Sequence, residues 1–276
     1  MDFIISPLIY SVIAVCCFLL SCFVMKSVPV DFSPPLWFKK LHWIGQLTVI
    51  FLFFTAVLVI SLVFVTYVTR IGVIGFFALA SGIVSFALFD QMFRGKTFVA
   101  LACAIAVTAG WVFVPNWITL NIAAVVPVLF LLATVKIPFR YIVIGLAALF
   151  VYDVVNVFGT KVMVEMAHAT IGIKLPLAFI IQSSFSFESQ PISMLGVGDI
   201  AIPGLVVAHA YRTGGRIYFI ATTIGYIVGM FVACAVVIFF HLAQPALLYL
   251  IPSVLIAFYI AEYYKVGFNN SVKRVS

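Results

Sequence analysis

Apolar runs of about twenty residues recur along this chain, separated by short connections that hold most of its charge. A run of that length crosses the hydrocarbon core of a bilayer as an α-helix. In lipid every backbone N–H and C=O must find its partner within the segment, so helix is the expected form, and no alternation of the kind that marks a β-barrel is present. Nine spans are expected, at about 3–25, 43–66, 70–89, 97–114, 116–135, 141–162, 192–211, 217–241 and 245–263. Composition agrees: 66% of the 276 residues are hydrophobic and 8% charged, against roughly half and a quarter in a soluble domain. The expected fold is an all-α polytopic membrane protein, a single embedded unit over 1–276.

The basic residues predict how the spans are threaded. The odd-numbered connections and the C-terminal tail carry Lys26, Lys39, Lys40, Arg94, Lys96, Lys136, Arg140, Arg212, Arg216, Lys265, Lys273 and Arg274, whereas the even-numbered ones carry only Arg70, Lys161 and Lys174. The positive-inside rule then places the odd connections and the C-terminus in the cytoplasm and the N-terminus in the lumen or outside. This threading depends on a break between spans four and five at Pro115-Asn116. The first span is expected to stay as an anchor: Asp2 and no basic residue precede it, its apolar run exceeds a signal-peptide core, and Lys26 follows it. The sequon Asn269-Asn270-Ser271 then lies on the cytoplasmic side and is expected to carry no glycan. The net charge of +7 is spread singly or in pairs between apolar runs, so it reads as topology and predicts no nucleic-acid partner.

Two aspartates interrupt the apolar runs. Asp153 lies in Tyr152-Asp153-Val154-Val155-Asn156-Val157-Phe158-Gly159-Thr160, and Asp199 in Met194-Leu195-Gly196-Val197-Gly198-Asp199-Ile200-Ala201-Ile202-Pro203-Gly204. A carboxylate inside the bilayer costs about 2.5–3.5 kcal/mol on insertion scales, so each reads as functional. Asp153 follows Arg140 by 13 residues on a span leaving the cytoplasmic side, and Asp199 precedes Arg212 by 13 on the next span returning to it. At 1.5 Å per residue both sit about 20 Å from the same edge. Two carboxylates at one depth on antiparallel helices can face each other, and such a pair tends to share a proton. The ionised member can then activate water while the protonated member polarises a carbonyl and later protonates the leaving nitrogen. Gly196 and Gly198 allow close approach and irregular backbone beside Asp199, and Pro203-Gly204 is expected to weaken the helix beyond it.

A third segment, Gln244-Pro245-Ala246-Leu247-Leu248-Tyr249, completes a pattern. Tyr152-Asp153, Gly196-Val197-Gly198-Asp199 and Pro245-Ala246-Leu247, in this order on spans six, seven and nine, resemble the presenilin and signal peptide peptidase family of intramembrane aspartyl proteases. The longer strings are closer to the signal peptide peptidase branch. Asn156 stands where relatives commonly carry an aromatic residue, and Val197 where they commonly carry leucine. The resemblance implies a presenilin-like fold whose helices one to five (1–135) are scaffold and whose helices six to nine (136–276) are catalytic. It implies Asp153 and Asp199 as the catalytic dyad, with Tyr152, Gly196 and Gly198 supporting it. Pro245, Ala246 and Leu247 would hold an unwound substrate. The charge-derived threading matches the signal peptide peptidase orientation, which implies type II membrane segments such as remnant signal peptides as substrates and the endoplasmic reticulum as location. The partners implied are membrane-spanning peptides and the lipid bilayer, with room for a homo-oligomer.

Other chemistries find no motif. His42, His168, His209 and His241 are isolated from one another, and Cys16, Cys17, Cys22, Cys103 and Cys234 all lie in apolar runs, so neither a metal nor any other cofactor is expected. No Gly-x-Ser-x-Gly, Walker or dinucleotide fingerprint occurs. Lys273-Arg274 resembles a retrieval signal but reads first as a juxtamembrane anchor, and Glu262, Asp90 and Arg94 read as span-end residues. The rival class is a proton-coupled transporter built around the two acids, which would be expected to show inverted repeats that the sequence lacks. The relatively polar stretch 165–191 is expected to act with the Pro245 segment on unwound substrate, as a strand partner.

Overall fold

In the computed structural model the described residues are 2–25, 30–31, 40–46, 48–49, 52, 56, 70–93, 96–160, 173–181, 193–240 and 244–275. Most of span two, the stretches 161–172 and 182–192, and Lys26, Lys39, Arg94, Lys161, His168 and His241 lie outside them. Eight helices are described: α1 (Asp2–Val24), α2 (Arg70–Met92), α3 (Thr97–Phe113), α4 (Trp117–Thr134), α5 (Phe139–Val154), α6 (Val197–Gly214), α7 (Arg216–Phe240) and α8 (Leu247–Val275). A π-helix, Val155–Thr160, extends α5. Four short strands complete the set: β1 (Val30–Asp31), β2 (Val135–Lys136), β3 (Ala178–Ile181) and β4 (Ser193–Gly196). Among the described residues six helical segments are long and apolar enough to cross a membrane: Pro7–Val24, Arg70–Met92, Trp117–Thr134, Phe139–Phe158, Arg216–Phe240 and Leu247–Tyr264. The chain is thus a mostly helical, polytopic membrane protein.

Two helices fall outside those six for different physical reasons. α3 is apolar throughout but shorter, at 17 residues. α6 has 18 residues and carries Asp199, His209 and Arg212. It is nevertheless the centre of the bundle, packed by α1, α4, α5, α7 and α8. Lipid tails are as apolar as leucine, so these helices associate through close packing and polar bonds. A Cβ on Gly204 of α6 would stand 2.9 Å from Phe18 and 3.0 Å from Leu132. Gly225 and Gly229, one turn apart on α7, leave no room for a side chain against Ser253, Ala257 and Leu250 of α8.

The break expected at Pro115-Asn116 is present. α3 ends at Phe113, and Asn116 caps α4: its Oδ1 accepts the Thr119 N–H at 2.9 Å, and the Thr119 hydroxyl oxygen accepts the Asn116 N–H at 3.1 Å. This reciprocal pair satisfies two donors that a helix start leaves open. At the other end of α4, Arg212 of α6 donates to the carbonyls of Val135 (2.7 Å), Leu132 (2.8 Å) and Ala133 (3.1 Å). A guanidinium there meets the unpaired carbonyls and negative end of the helix. β1 pairs in parallel with β2, Val30 opposite Val135 and Asp31 opposite Lys136. Phe139 stacks on His209 and Phe258, and the Tyr218 hydroxyl donates to Glu262. The described parts of connections one, five and seven and the end of the last span therefore lie at one end of the bundle.

Two expectations need correction. Span seven does not begin as helix: 193–196 is strand β4, and α6 starts only at Val197. The helix is not interrupted at Pro203-Gly204 either. α6 runs unbroken to Gly214 with Pro203 buried in its second turn, because packing from five neighbouring helices outweighs one lost ladder bond.

Candidate active site

The site forms where α5, α6 and α8 meet. Asp153 is the penultimate residue of α5 and is 6% exposed. Its Oδ2 accepts the backbone N–H of Leu247 at 3.2 Å, across 94 residues of sequence. Leu247 is the first residue of α8, so its N–H is one that a helix start leaves free for an outside acceptor. Pro245 and Ala246 form the turn before it, and their carbonyls accept the N–H groups of Leu248, Tyr249 and Leu250. Of Pro245, Ala246 and Leu247, it is Leu247 that binds the first aspartate, through its backbone N–H.

Just beyond Asp153 the helix widens into its π segment, a form common at functional sites. Asn156, buried in this segment, donates its side-chain amide to the Tyr152 carbonyl at 2.7 Å. The cost of burying this polar group is therefore offset by a local bond. Tyr152 itself is buried beside Asp153.

Asp199 is oriented differently. Gly196 is the N-cap of α6, with extended φ −62° and ψ 142°, so β4 runs into the helix without an intervening loop. Asp199 is the third helical residue, and its Oδ2 accepts the Gly196 N–H at 3.2 Å. A carboxylate in the first turn also faces the positive end of the helix. A Cβ on Gly196 would stand 3.1 Å from that oxygen, so only glycine leaves it undisturbed. Among the described residues a Cβ on Gly198 would meet only Ile202 Cδ1, at an ordinary 3.4 Å, so packing against them does not require glycine there. α5 packs on α6, and the two carboxylates lie within Coulombic reach of each other.

The part that sequence reasoning missed is a two-stranded antiparallel sheet beside Asp199. β3 lies within the 165–191 stretch, and Ala178, Phe179, Ile180 and Ile181 stand opposite Gly196, Leu195, Met194 and Ser193. Asn121 of α4 is bound to its outer edge: the amide donates to the Ile180 carbonyl and its oxygen accepts the Ile180 N–H, both at 2.8 Å. Ile180 thus turns its backbone away from β4, and by alternation Met194 turns its own away from β3. The Gly196 N–H also points outward, to Asp199. Among the described residues the N–H and C=O of Met194 meet no partner. A carboxamide inside an apolar span, one turn past its start, was the available signal for Asn121, since such groups are rare in lipid without a bonding role.

Among the described residues no cluster of histidine, cysteine, aspartate or glutamate could hold a metal ion. What the arrangement can do is present two unlike carboxylates, one beside an open strand edge and one held by the start of a helix.

The signal peptide peptidase family model matches residues 4–272. The mouse (Mus musculus) signal peptide peptidase-like 2A is 38% identical over 160 residues, covering 51% of this chain and 31% of that protein. The mouse signal peptide peptidase-like 2B is 33% identical over 185 residues, covering 57% of this chain and 32% of that protein. Intramembrane protease 2 of Caenorhabditis elegans is 38% identical over 129 residues, covering 39% and 27%. The chain spans about a third or less of the length of these relatives.

Proposed function

The chain belongs to the signal peptide peptidase family, and on that premise we propose that it is an intramembrane aspartyl endopeptidase with Asp153 and Asp199 as its dyad. The observation that carries this reading is the meeting of three sequence-distant segments: Asp153 on α5, Asp199 on the adjoining α6, and the Leu247 N–H that orients Asp153. The transporter alternative is not favoured, because the relatives are named as peptidases and proteases.

The reaction follows from two carboxyls sharing one proton. The ionised member takes a proton from water, and the hydroxide equivalent adds to the scissile carbonyl. The protonated member gives its proton to the carbonyl oxygen, yielding a neutral gem-diol. On collapse the C–N bond breaks, the nitrogen is protonated and a new carboxyl forms, so the pair returns to a one-proton state. Tyr152, Gly196 and Gly198 shape the surroundings of the two acids.

A helical substrate hides its carbonyls, so it must unwind first. We place the unwound stretch as an added strand on β4, bonded to the open N–H and C=O of Met194, with the Pro245-Ala246-Leu247 turn on its other side. Its substrates would be type II membrane segments such as remnant signal peptides. The full arrangement in this reading has nine spans, helices one to five as scaffold and six to nine as catalytic, in the endoplasmic reticulum with the N-terminus lumenal and the C-terminus cytoplasmic.

The test is cleavage of a labelled type II signal peptide by the purified protein in detergent, beside Asp153→Asn and Asp199→Asn. Cleavage by the wild type that either substitution abolishes is the expected result. Full activity in either variant would remove that residue from the dyad, and a folded, inactive wild type would overturn the protease reading.

A further inference from the structure

A two-stranded sheet has two edges, and either can accept a third strand. In this protein the edges are not equivalent. Asn121 projects from α4, away from both aspartates in sequence, and makes with Ile180 the same two bonds that a neighbouring strand would make. It lies 59 residues from Ile180, so the pairing is tertiary and not a turn. α4 packs along β3, and Ala178 and Ile180 are buried with Leu120, Ala123 and Trp111. On the far side of the sheet, the N–H and C=O of Met194 meet no partner among the described residues, two positions from the Gly196 whose N–H holds Asp199.

We propose that Asn121 is a positioning residue that acts as a surrogate strand, closing the outer edge of β3 so that a substrate strand can add only at β4, in one register beside Asp199. This inference rests on the protease reading above. A side chain does this better than a real strand would, because it spends one donated and one accepted bond on Ile180 alone and cannot itself slip in register. It also ties the sheet to α4, which α6 packs against, so the hairpin and Asp199 share one frame. The residue touches neither the substrate nor a reacting atom in this arrangement. Its loss should therefore alter where and how fast peptides are cut more than how tightly they bind.

The experiment uses the full chain in detergent with the same labelled type II signal peptide, comparing wild type, Asn121→Leu, Asn121→Asp and Asn121→Gln. Four readouts are taken: kcat, KM, product masses, and amide hydrogen exchange at 178–181 and 193–196. Asn121→Leu is close in size, lacks both bonds, and is expected to lower kcat about tenfold with KM within about twofold. Its products should spread over neighbouring peptide bonds, and the Ile180 amide should exchange faster. Asn121→Asp, which keeps only the acceptor, should fall between the two, and Asn121→Gln should recover part of the wild-type register.

Unchanged kcat and a single unchanged cut site in Asn121→Leu would overturn the proposal. If Asn121→Leu fails to fold, Asn121→Asp decides instead, and wild-type register and exchange in that variant would overturn the proposal equally. A folded wild type that cleaves nothing sinks the protease reading and this role with it. Faster Ile180 exchange in Asn121→Leu would then mark the bond as structural only. Cleavage by the wild type with an indifferent Asn121 series sinks this inference alone.

Discussion

The two aspartates are held by opposite means. Asp199 takes its bond from its own chain, three residues back, at the start of the helix that carries it. Asp153 takes its bond from Leu247, 94 residues ahead on another helix. The first orientation is local, and a short piece of chain can encode it: glycine at the N-cap, aspartate at the third helical position. The second exists only once α8 has docked on α5. A defect in β4 or its junction with α6 should therefore disturb Asp199 alone, and a defect in the docking of α8 should disturb Asp153 alone. The pair is active only when a local and a long-range condition are both met.

The harshest way to break this contrast is to delete the long-range donor. Leu247→Pro removes the N–H that Asp153 accepts, at a first helical position where proline is otherwise tolerated. A hydrogen bond to a charged group contributes about 1.5–3 kcal/mol. Loss of that amount of orientation corresponds to a fall of roughly ten- to a hundredfold in kcat/KM. Leu247→Ala keeps the N–H but trims a buried side chain, so its cost should appear mainly as a lower unfolding temperature. Peptide cleavage measured for both decides the matter. Equal activity in the two variants would mean the Leu247 N–H does not orient Asp153.

The local side is probed by its glycines. Gly196→Ala puts a Cβ 3.1 Å from the Asp199 oxygen and should shift the carboxylate, lowering kcat about tenfold. Among the described residues Gly198→Ala meets only Ile202, so its fold should be unchanged. A loss of cleavage there, with a normal unfolding temperature and a raised KM, would identify the face of Gly198 as ground occupied by substrate. Wild-type kcat in Gly196→Ala would show that Asp199 is held by more than its own cap, and the contrast between the two acids would fail.

The same contrast explains what could be read from the residues alone. The helix ends at 24, 92, 113, 134 and 240 fall within a few residues of the expected spans, because hydropathy and the lipid's demand for internal bonding act locally. The Asp153 and Asp199 positions were equally legible, since a charge in an apolar run is conspicuous. The stretches 140–153 and 199–212, which the equal-depth arithmetic takes as helical, are both helical. What was not legible depends on partners far away in sequence. β4 is only four residues and looks apolar enough to be the start of a span; it is strand because β3 lies beside it. Arg212 reads as a topology marker, yet it also caps α4 with three carbonyl bonds. Pro203 reads as weakening its helix, yet among packed neighbours the helix runs on through it. Nothing in the neighbourhood of Asn121 announces Ile180 as its partner.

The smallest expected effect sharpens the comparison further. Tyr226 of α7 is fully buried, its ring edge-on to Phe18 with centroids 5.2 Å apart, and among the described residues its hydroxyl has no hydrogen-bond partner. It lies within Coulombic reach of Asp199. If Asp199 is held by its own cap alone, this hydroxyl contributes nothing to its orientation. Tyr226→Phe then removes a desolvated group that makes no bond, while the ring contact with Phe18 is kept. An unsatisfied buried polar group costs about 1–3 kcal/mol, so the variant should be as stable as wild type or more stable, with unchanged kcat. Thermal unfolding and peptide cleavage measured side by side check both halves. A variant that unfolds earlier and cleaves more slowly would mean the hydroxyl reaches Asp199 through a bridging water. The second aspartate, like the first, would then depend on a helix other than its own.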